Sequence, residues 1–389
     1  MTIREIAEKA EQYAIELLNG RRRTRTDQAV LGGMFGLSRI YRALVQLRLQ
    51  AFEERIFRQR MLGCLVVSIG NLTVGGTGKT PVVEVFARTL IEKGRRVAIL
   101  SRGYRSRSKP LWQKLRDRLT RADRDIPPKV VSDGRRLLLD SNQAGDEPYM
   151  LASNVKKAVV LVDKDRVKSG RYAIRRFGAD TLILDDGFQY LRLRPHLNIL
   201  LIDSTNPFHN HHLLPRGLLR EPIRNLRRAN IIFLTKSNGG RHLRHLKGFV
   251  TKHNPRAEII ECTHKPEHLV DVYSHEIQPL EALRGKRVAA ISGIAVPESF
   301  ENVLRKLGAT VVHTARYADH HRYRLQEIID FQNRALAAGA QLILTTEKDA
   351  VRFPKLDRRD VPVLYLRVRI DILTGQESFN DCITRLCFL

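Results

Sequence analysis

Residues 69–81 read Ile-Gly-Asn-Leu-Thr-Val-Gly-Gly-Thr-Gly-Lys-Thr-Pro, and the apolar run Leu65, Val66 and Val67 leads into them. A strand that ends in a Gly-rich turn and re-enters a helix presents backbone N–H groups and a positive helix end to an anion. In such a loop Lys79 would neutralise β- and γ-phosphates, and the Thr80 hydroxyl would ligate Mg²⁺. The spacing departs from G-x-x-x-x-G-K-[ST], because Thr73 stands where the first Gly belongs. Gly70, Gly75 and Gly76 supply backbone freedom at other positions, and Val74 argues against the lysine-bearing loop of partitioning ATPases. The expectation is an ATP-phosphate loop built from Gly75, Gly76, Thr77, Gly78, Lys79 and Thr80.

Five further segments carry groups that could act beside such a loop. Asp185-Asp186-Gly187-Phe188-Gln189 follows the apolar run Thr181 to Leu184, which puts two carboxylates at a strand end where Mg²⁺ would be held opposite Thr80. Gly145-Asp146-Glu147-Pro148 precedes a helical pattern and reads equally as a helix N-terminus or as a general base. Asp319-His320-His321 offers an imidazole that a carboxylate could tune, without the further ligands of a zinc site. Leu213 to Pro222 contains Arg216, Arg220 and Glu221. By itself it reads as a solvated loop, whereas near phosphate its arginines could stabilise transition-state charge. Thr345-Thr346-Glu347-Lys348-Asp349 reads as a helix cap with local ion pairs or as a phosphate-facing turn.

These groups need elements to hold them. Apolar runs at Ala158 to Val162, Thr181 to Leu184, Asn198 to Ile202 and Ile231 to Leu234 alternate with helical patterns, which predicts βαβ units and a parallel sheet. The residues after these runs (Asp163, Asp185, Asp203, Thr235-Lys236) would then gather at the carboxyl ends of the strands, near the loop. A second α/β set begins near residue 286, with strands at Val288–Ile291, Thr310–Val312, Gln341–Leu344 and Val363–Leu366. Residues 262–285 read as a mixed connection. The expected architecture is α/β: a P-loop NTPase-like, mostly parallel sheet over 63–265, a second, smaller α/β domain over 266–389, and a basic region 1–62 ahead of both.

Within that region Leu37, Ile40, Tyr41, Leu44, Leu47 and Ala51 recur on one helical face, with Arg39, Arg42, Arg48, Arg55 and Arg58 interspersed. Such an amphipathic helix either packs on the core or lies on anionic lipid. The formal charge of +27 at pH 7 favours an acidic partner. No segment interleaves the basic residues with aromatics, so nucleic acid is not expected as that partner. No stretch reaches the ~18 apolar residues of a membrane span. Residues 105–128, rich in Arg and Lys with three prolines, read as an exposed insertion. Cys64, Cys262, Cys382 and Cys387 have no metal-ligand spacing, which suits a reducing compartment, and Cys64 reads as a buried small hydrophobe.

Taken in order, Gly70 to Pro81, Ser101-Arg102-Gly103-Tyr104, Gly145 to Pro148, Asp185 to Gln189, Leu214-Pro215, Arg220-Glu221-Pro222, Asp319-His320-His321 and Thr346 to Asp349 resemble the tetraacyldisaccharide 4'-kinase family of lipid A biosynthesis. The resemblance implies ATP-dependent phosphorylation of the 4'-hydroxyl of a lipid A disaccharide 1-phosphate precursor. It further implies work at an anionic membrane surface, on the cytoplasmic face of the bacterial inner membrane. It assigns Asp146 and His320 as the acid/base pair, Thr80 with Asp185 or Asp186 as Mg²⁺ ligands, and Gln189, Arg220 and Glu221 as site-lining residues. This chain departs from the family at Tyr190, where His is usual, and in the 105–128 insertion and the N-terminal extension. A regulatory P-loop switch or a nucleic-acid-stimulated ATPase are the alternative classes; neither requires a lipid acceptor.

Overall fold

The computed structural model describes Tyr13, Leu17 and residues 24–103, 126–240, 242–356 and 360–388. Arg21 to Arg23, Tyr104 and most of the 105–128 stretch lie outside the described residues. In chain order the elements are α1 (Arg25–Glu53), β1 (Leu65–Asn71), α2 (Lys79–Glu92), β2 (Val97–Ser101), β3 (Lys129–Asp133), α3 (Asp146–Asn154), β4 (Val159–Val162) and α4 (Arg166–Phe177). Then come β5 (Thr181–Asp185), β6 (Leu197–Asp203), β7 (Ile231–Thr235), α5 (His242–His253), β8 (Glu258–Asp271), β9 (Ile277–Gln278) and β10 (Arg287–Ser292). The chain closes with α6 (Pro297–Lys306), β11 (Thr310–Arg316), α7 (Leu325–Ala337), β12 (Leu342–Thr346), β13 (Val363–Thr374) and α8 (Gln376–Cys387).

One sheet runs through the whole chain in the order β11-β10-β12-β13-β8-β7-β6-β1-β5-β2-β4-β3, with β9 added on β8. β1 is buried along its full length and pairs in parallel with β5 and β6. Strands covered on both faces read as continuous apolar runs, which is why the expected strands β4 to β7, β10, β12 and β13 appear where the sequence puts them; β11, at the sheet edge, is only partly covered. On one face α2 packs over β1 and α3 over β3 and β4; Phe86 of α2 meets Phe233 of β7 and Phe379 of α8 edge-on, at 5.8 and 5.0 Å. Edge-on aromatic pairs add about 0.5–1.5 kcal/mol each beyond area burial.

Two differences from the sequence reading bear on the site. Residues 262–271, read as connection, belong to β8, a strand of 14 residues that pairs antiparallel with β13. The polar run His264-Lys265-Pro266 disguises it. Pro266 pairs with Val368 where the register shifts, a bulge that tolerates a missing N–H. Position 265/266 therefore falls inside a strand. Moreover α8 packs into the core of the first half through Phe379, Cys382, Ile383 and Leu386.

The second concerns α1, which starts at Arg25, twelve residues before the apolar pattern opens at Leu37, because Thr24 and Asp27 form a capping box. Ser38 donates to the Leu213 carbonyl at 2.8 Å, Tyr41 to the Arg220 carbonyl at 3.0 Å, and Leu49 is buried. Tyr41 therefore faces the protein, while Leu37, Ile40, Leu44 and Leu47 are 56–62% exposed. Among the described residues no helix is long and apolar enough to cross a membrane. Cys64 precedes β1 and is half-buried rather than buried.

Candidate active site

β1 delivers the chain to the glycine loop, and α2 begins at Lys79 with Gly78 as its N-cap. Gly78 has φ +79° and no side chain, so no capping group occupies the first N–H groups of the helix, which remain free to meet an anion. A Cβ there would stand 2.6 Å from the His264 ring, so β8 closes against the loop at a position only glycine fits. Burial pushes the His264 imidazole down to about 4, which keeps it neutral against the loop. The ends of β6 and β7 brace the loop from outside. Thr235 donates to the Thr77 carbonyl at 2.8 Å, and Lys236 donates to the Gly76 carbonyl at 3.0 Å while pairing with Asp203. Gly75 and Gly76 are exposed; the buried Thr77 hydroxyl has no hydrogen-bond partner.

Lys79 crosses to the neighbouring strand end. Its ammonium donates to Asn71 Oδ1 at 3.2 Å and pairs with Asp186 at 3.3 Å; Arg220 pairs with the other Asp186 oxygen at 2.7 Å. Burial alone would raise the Asp186 carboxyl, but Lys79 and Arg220 outweigh it and hold it down at about 2. Asp185, one residue earlier on β5, is fully buried, accepts from Ser101 at 2.9 Å, and is pushed up to about 7 by burial and then by Glu147. Gln189 donates to the Asn71 carbonyl at 3.0 Å and accepts from Arg220 at 3.4 Å. Glu221 is 3% exposed and lies beneath this surface. It pairs with Arg228 at 2.5 Å and accepts from Asn225, while Arg228 stacks on Phe188. Glu221 thus braces the strand-end turn instead of facing the loop's open side.

The other half contributes His320. Asp146 opens α3 after Gly145, and its Oδ2 faces His320 Nδ1 at 3.2 Å and takes a bond from Arg352 Nε at 2.8 Å. Arg322 reaches Asp146 Oδ1 at 3.3 Å. Burial opposes ionisation of Asp146, but the His320 hydrogen bond and Arg352 prevail and keep its carboxyl below the usual range. On the far side of the imidazole, Lys348 Nζ lies 3.1 Å from His320 Nε2 and 3.1 Å from Asp319. Lys348 belongs to the helical turn Glu347–Ala350, which Thr346 caps by accepting from the Asp349 N–H. Asp146 therefore stands in the first turn of a helix and at the same time faces an imidazole.

The sequence reading missed several partners. Arg352 was not singled out, Glu147 was read only as a member of the segment 145–148, and the Lys348 turn was left between two readings. The cross-chain links that give them meaning span 206 residues for Arg352–Asp146, and no local pattern announces them. The same holds for Arg367 of β13, which pairs with Glu84 of α2 and with both oxygens of Glu347, joining the two halves near the site. Mg²⁺ suits a sparse oxygen site of one hydroxyl, one or two carboxylates, water and phosphate oxygens. Thr80 and the cation-poor Asp185 fit that donor set, because a buried carboxyl raised to about 7 ionises readily once a cation stands beside it. Among the described residues no group of three or more His, Cys, Asp or Glu is arranged to hold a metal alone.

The family described as Tetraacyldisaccharide-1-P 4'-kinase matches residues 33–387. The chain belongs to this family. A tetraacyldisaccharide 4'-kinase of Syntrophus aciditrophicus is 38% identical over 380 residues, covering 94% of this chain and 95% of that protein. One from Halothermothrix orenii is 35% identical over 360 residues, covering 90% of each. The crystal structure of LpxK from Aquifex aeolicus in complex with ATP aligns with a TM-score of 0.69 at 27% identity, covering 92% of this chain and 99% of that one. As a tetraacyldisaccharide-1-P 4'-kinase, the chain is an ATP-dependent kinase of lipid A biosynthesis.

Proposed function

We infer that the chain transfers the ATP γ-phosphoryl group to the 4'-hydroxyl of tetraacyldisaccharide 1-phosphate through the pair Asp146–His320. The observation that carries this reading is the 3.2 Å contact between Asp146 of the loop-bearing half and His320 of the other half. The hydroxyl oxygen forms a bond to γ-phosphorus, the bond to the β–γ bridging oxygen breaks, and ADP leaves with its electron pair. Nδ1 of His320 faces Asp146, so Nε2 is the atom that takes the hydroxyl proton. Lys348, 3.1 Å from Nε2, yields that nitrogen to the incoming hydroxyl. Lys79 and the uncapped N-terminus of α2 hold the phosphates; Arg220 and Gln189 hold Asp186 and Asn71 in place around Lys79. Thr80 and Asp185 would hold Mg²⁺, which when bound neutralises phosphate charge as it shifts to the leaving oxygen.

The nucleotide half, in this reading, comprises residues 63–265 with α8, and residues 266–375 carry His320. The acceptor is a lipid, and the exposed stripe Leu37, Ile40, Leu44 and Leu47 beside Arg39, Arg42 and Arg48 supports docking of α1 on the anionic cytoplasmic face of the inner membrane. Each well-placed basic residue adds about 1 kcal/mol at such a surface. The test is to follow labelled γ-phosphate from Mg-ATP into tetraacyldisaccharide 1-phosphate in detergent micelles. A bisphosphorylated lipid that disappears in Lys79→Ala supports the reading. ATP turnover that is indifferent to lipid, or stimulated by RNA, overturns it in favour of a switch or a nucleic-acid ATPase.

A further inference from the structure

The chain after the turn Glu347–Ala350 sends one side chain across to the loop-bearing half. Arg352 is fully enclosed, and its guanidinium meets both members of the Asp146–His320 pair. Nε donates to Asp146 Oδ2 at 2.8 Å, and Nη2 lies 3.3 Å from His320 Nδ1. Nη1 reaches back to Asp349 Oδ1 at 3.2 Å and to the Gly293 carbonyl at 3.5 Å, just past the end of β10. Asp349 is enclosed as well, and it takes bonds from the Tyr323 hydroxyl at 3.1 Å and the Thr346 hydroxyl at 2.6 Å. The space here is filled: a Cβ on Gly293 would stand 3.1 Å from both Asp349 Oδ1 and the Tyr323 oxygen. Burial holds the Asp349 carboxyl above the usual range, so it competes weakly for the guanidinium charge and Asp146 takes the larger share. His320 itself sits at φ +64°, a left-handed conformation that a residue other than glycine keeps only where its surroundings over-determine it. Those surroundings include Asp146, Lys348 and Arg352.

We propose that Arg352 is the positioning residue of the acid/base pair: one planar cation, delivered by the His320-bearing half, fixes the Asp146 carboxylate against the imidazole. This rests on the kinase reading above and deepens it. Removed from water, the Asp146 carboxylate needs a cation held against it. His320 cannot supply that charge and also take up the acceptor's proton. Arg352, always charged, leaves the imidazole free for that proton. Its fork also fixes which carboxylate oxygen meets Nδ1, a task that a single ammonium cannot perform. The other charged groups facing the pair are partly exposed. Arg322 meets Asp146, while Lys348 and Asp319 meet the far side of the ring.

The test is a pH profile of single-turnover transfer from Mg-ATP to tetraacyldisaccharide 1-phosphate in micelles. The wild type and Arg352→Gln are compared, with ADP affinity measured alongside. Without the cation the pair holds its proton to higher pH. The acid limb of the profile should therefore move up by about one pH unit or more, with a rate about tenfold lower beneath it. ADP affinity should stay unchanged. A slower variant whose limb keeps the wild-type position overturns the proposal, because lost packing alone slows transfer at every pH alike. A wild-type rate and profile overturns it too, as does a loss carried by ADP affinity. If Arg352→Gln does not fold, Arg352→Lys decides, since it keeps the charge but not the fork. A limb displaced upward by a smaller amount then upholds the proposal, and a wild-type profile overturns it. The kinase reading fails separately: a wild type that transfers nothing to lipid refutes that reading and this proposal together, whereas transfer with an unmoved limb refutes the proposal alone.

Discussion

Asp185 and Asp186 are chain neighbours with opposite electrostatics. Asp186 is about 30% exposed on its side chain and held ionised by Lys79 and Arg220, whereas Asp185 is enclosed and raised to about 7. An unfolded Asp titrates near ~4, so between there and about 7 the folded protein holds a proton that the unfolded chain lacks. Stability of the Mg²⁺-free protein should therefore fall as pH rises through that window, and Asp185→Asn should flatten the decline. Thermal melting from pH 4 to 8 checks this; identical slopes in the two proteins would refute the enclosed-carboxyl account. Asp146→Asn should lower kcat by about 10²–10⁴-fold, the usual scale of general acid–base catalysis, with ADP affinity nearly unchanged. Single-turnover kinetics with parallel nucleotide titration reads both. Gly78-Lys79-Thr80 and Asp185-Asp186 were legible in the sequence because strand, loop and helix fix them locally. Arg352, Glu147 and the bracing role of Glu221 were not, because their meaning depends on partners that folding brings in from elsewhere.

At the level of elements, α1 presents two faces with different employment. Ser38 and Tyr41 bind it to the segment Leu213 to Arg220, and the Leu37–Leu47 stripe points outward. Ile40→Glu with Leu44→Glu should abolish co-sedimentation with anionic vesicles and leave the melting temperature within a degree or two, since exposed substitutions shift stability by about 0.5 kcal/mol or less. A large drop in melting temperature would mean the stripe packs on protein instead. Periodicity found the helix but could not say which side of it the protein covers, because a core-facing and a lipid-facing stripe share one repeat. β8 was hidden for a different reason: its middle is polar, and its pairing with β13 is a long-range match that no local pattern encodes.

Across the whole molecule, the two halves are joined by the β8–β13 ladder and clamped near the site by Arg367 between Glu84 and Glu347. Arg367→Met would leave two carboxylates without their cation and should cost about 3–5 kcal/mol, readable in urea unfolding. Adding Glu84→Gln and Glu347→Gln to that variant should recover part of the loss; no recovery would show that Arg367 acts through packing alone. Helix α8 has a further consequence, for the order of events during synthesis. The core under the glycine loop is completed by Phe379, Cys382, Ile383 and Leu386, some three hundred residues after Lys79 in the chain. A nascent chain on the ribosome would thus carry its nucleotide loop through the synthesis of some three hundred further residues with that core open. The core beneath the loop is closed only once the segment 376–387 has left the exit tunnel, by which point His320 has already been made.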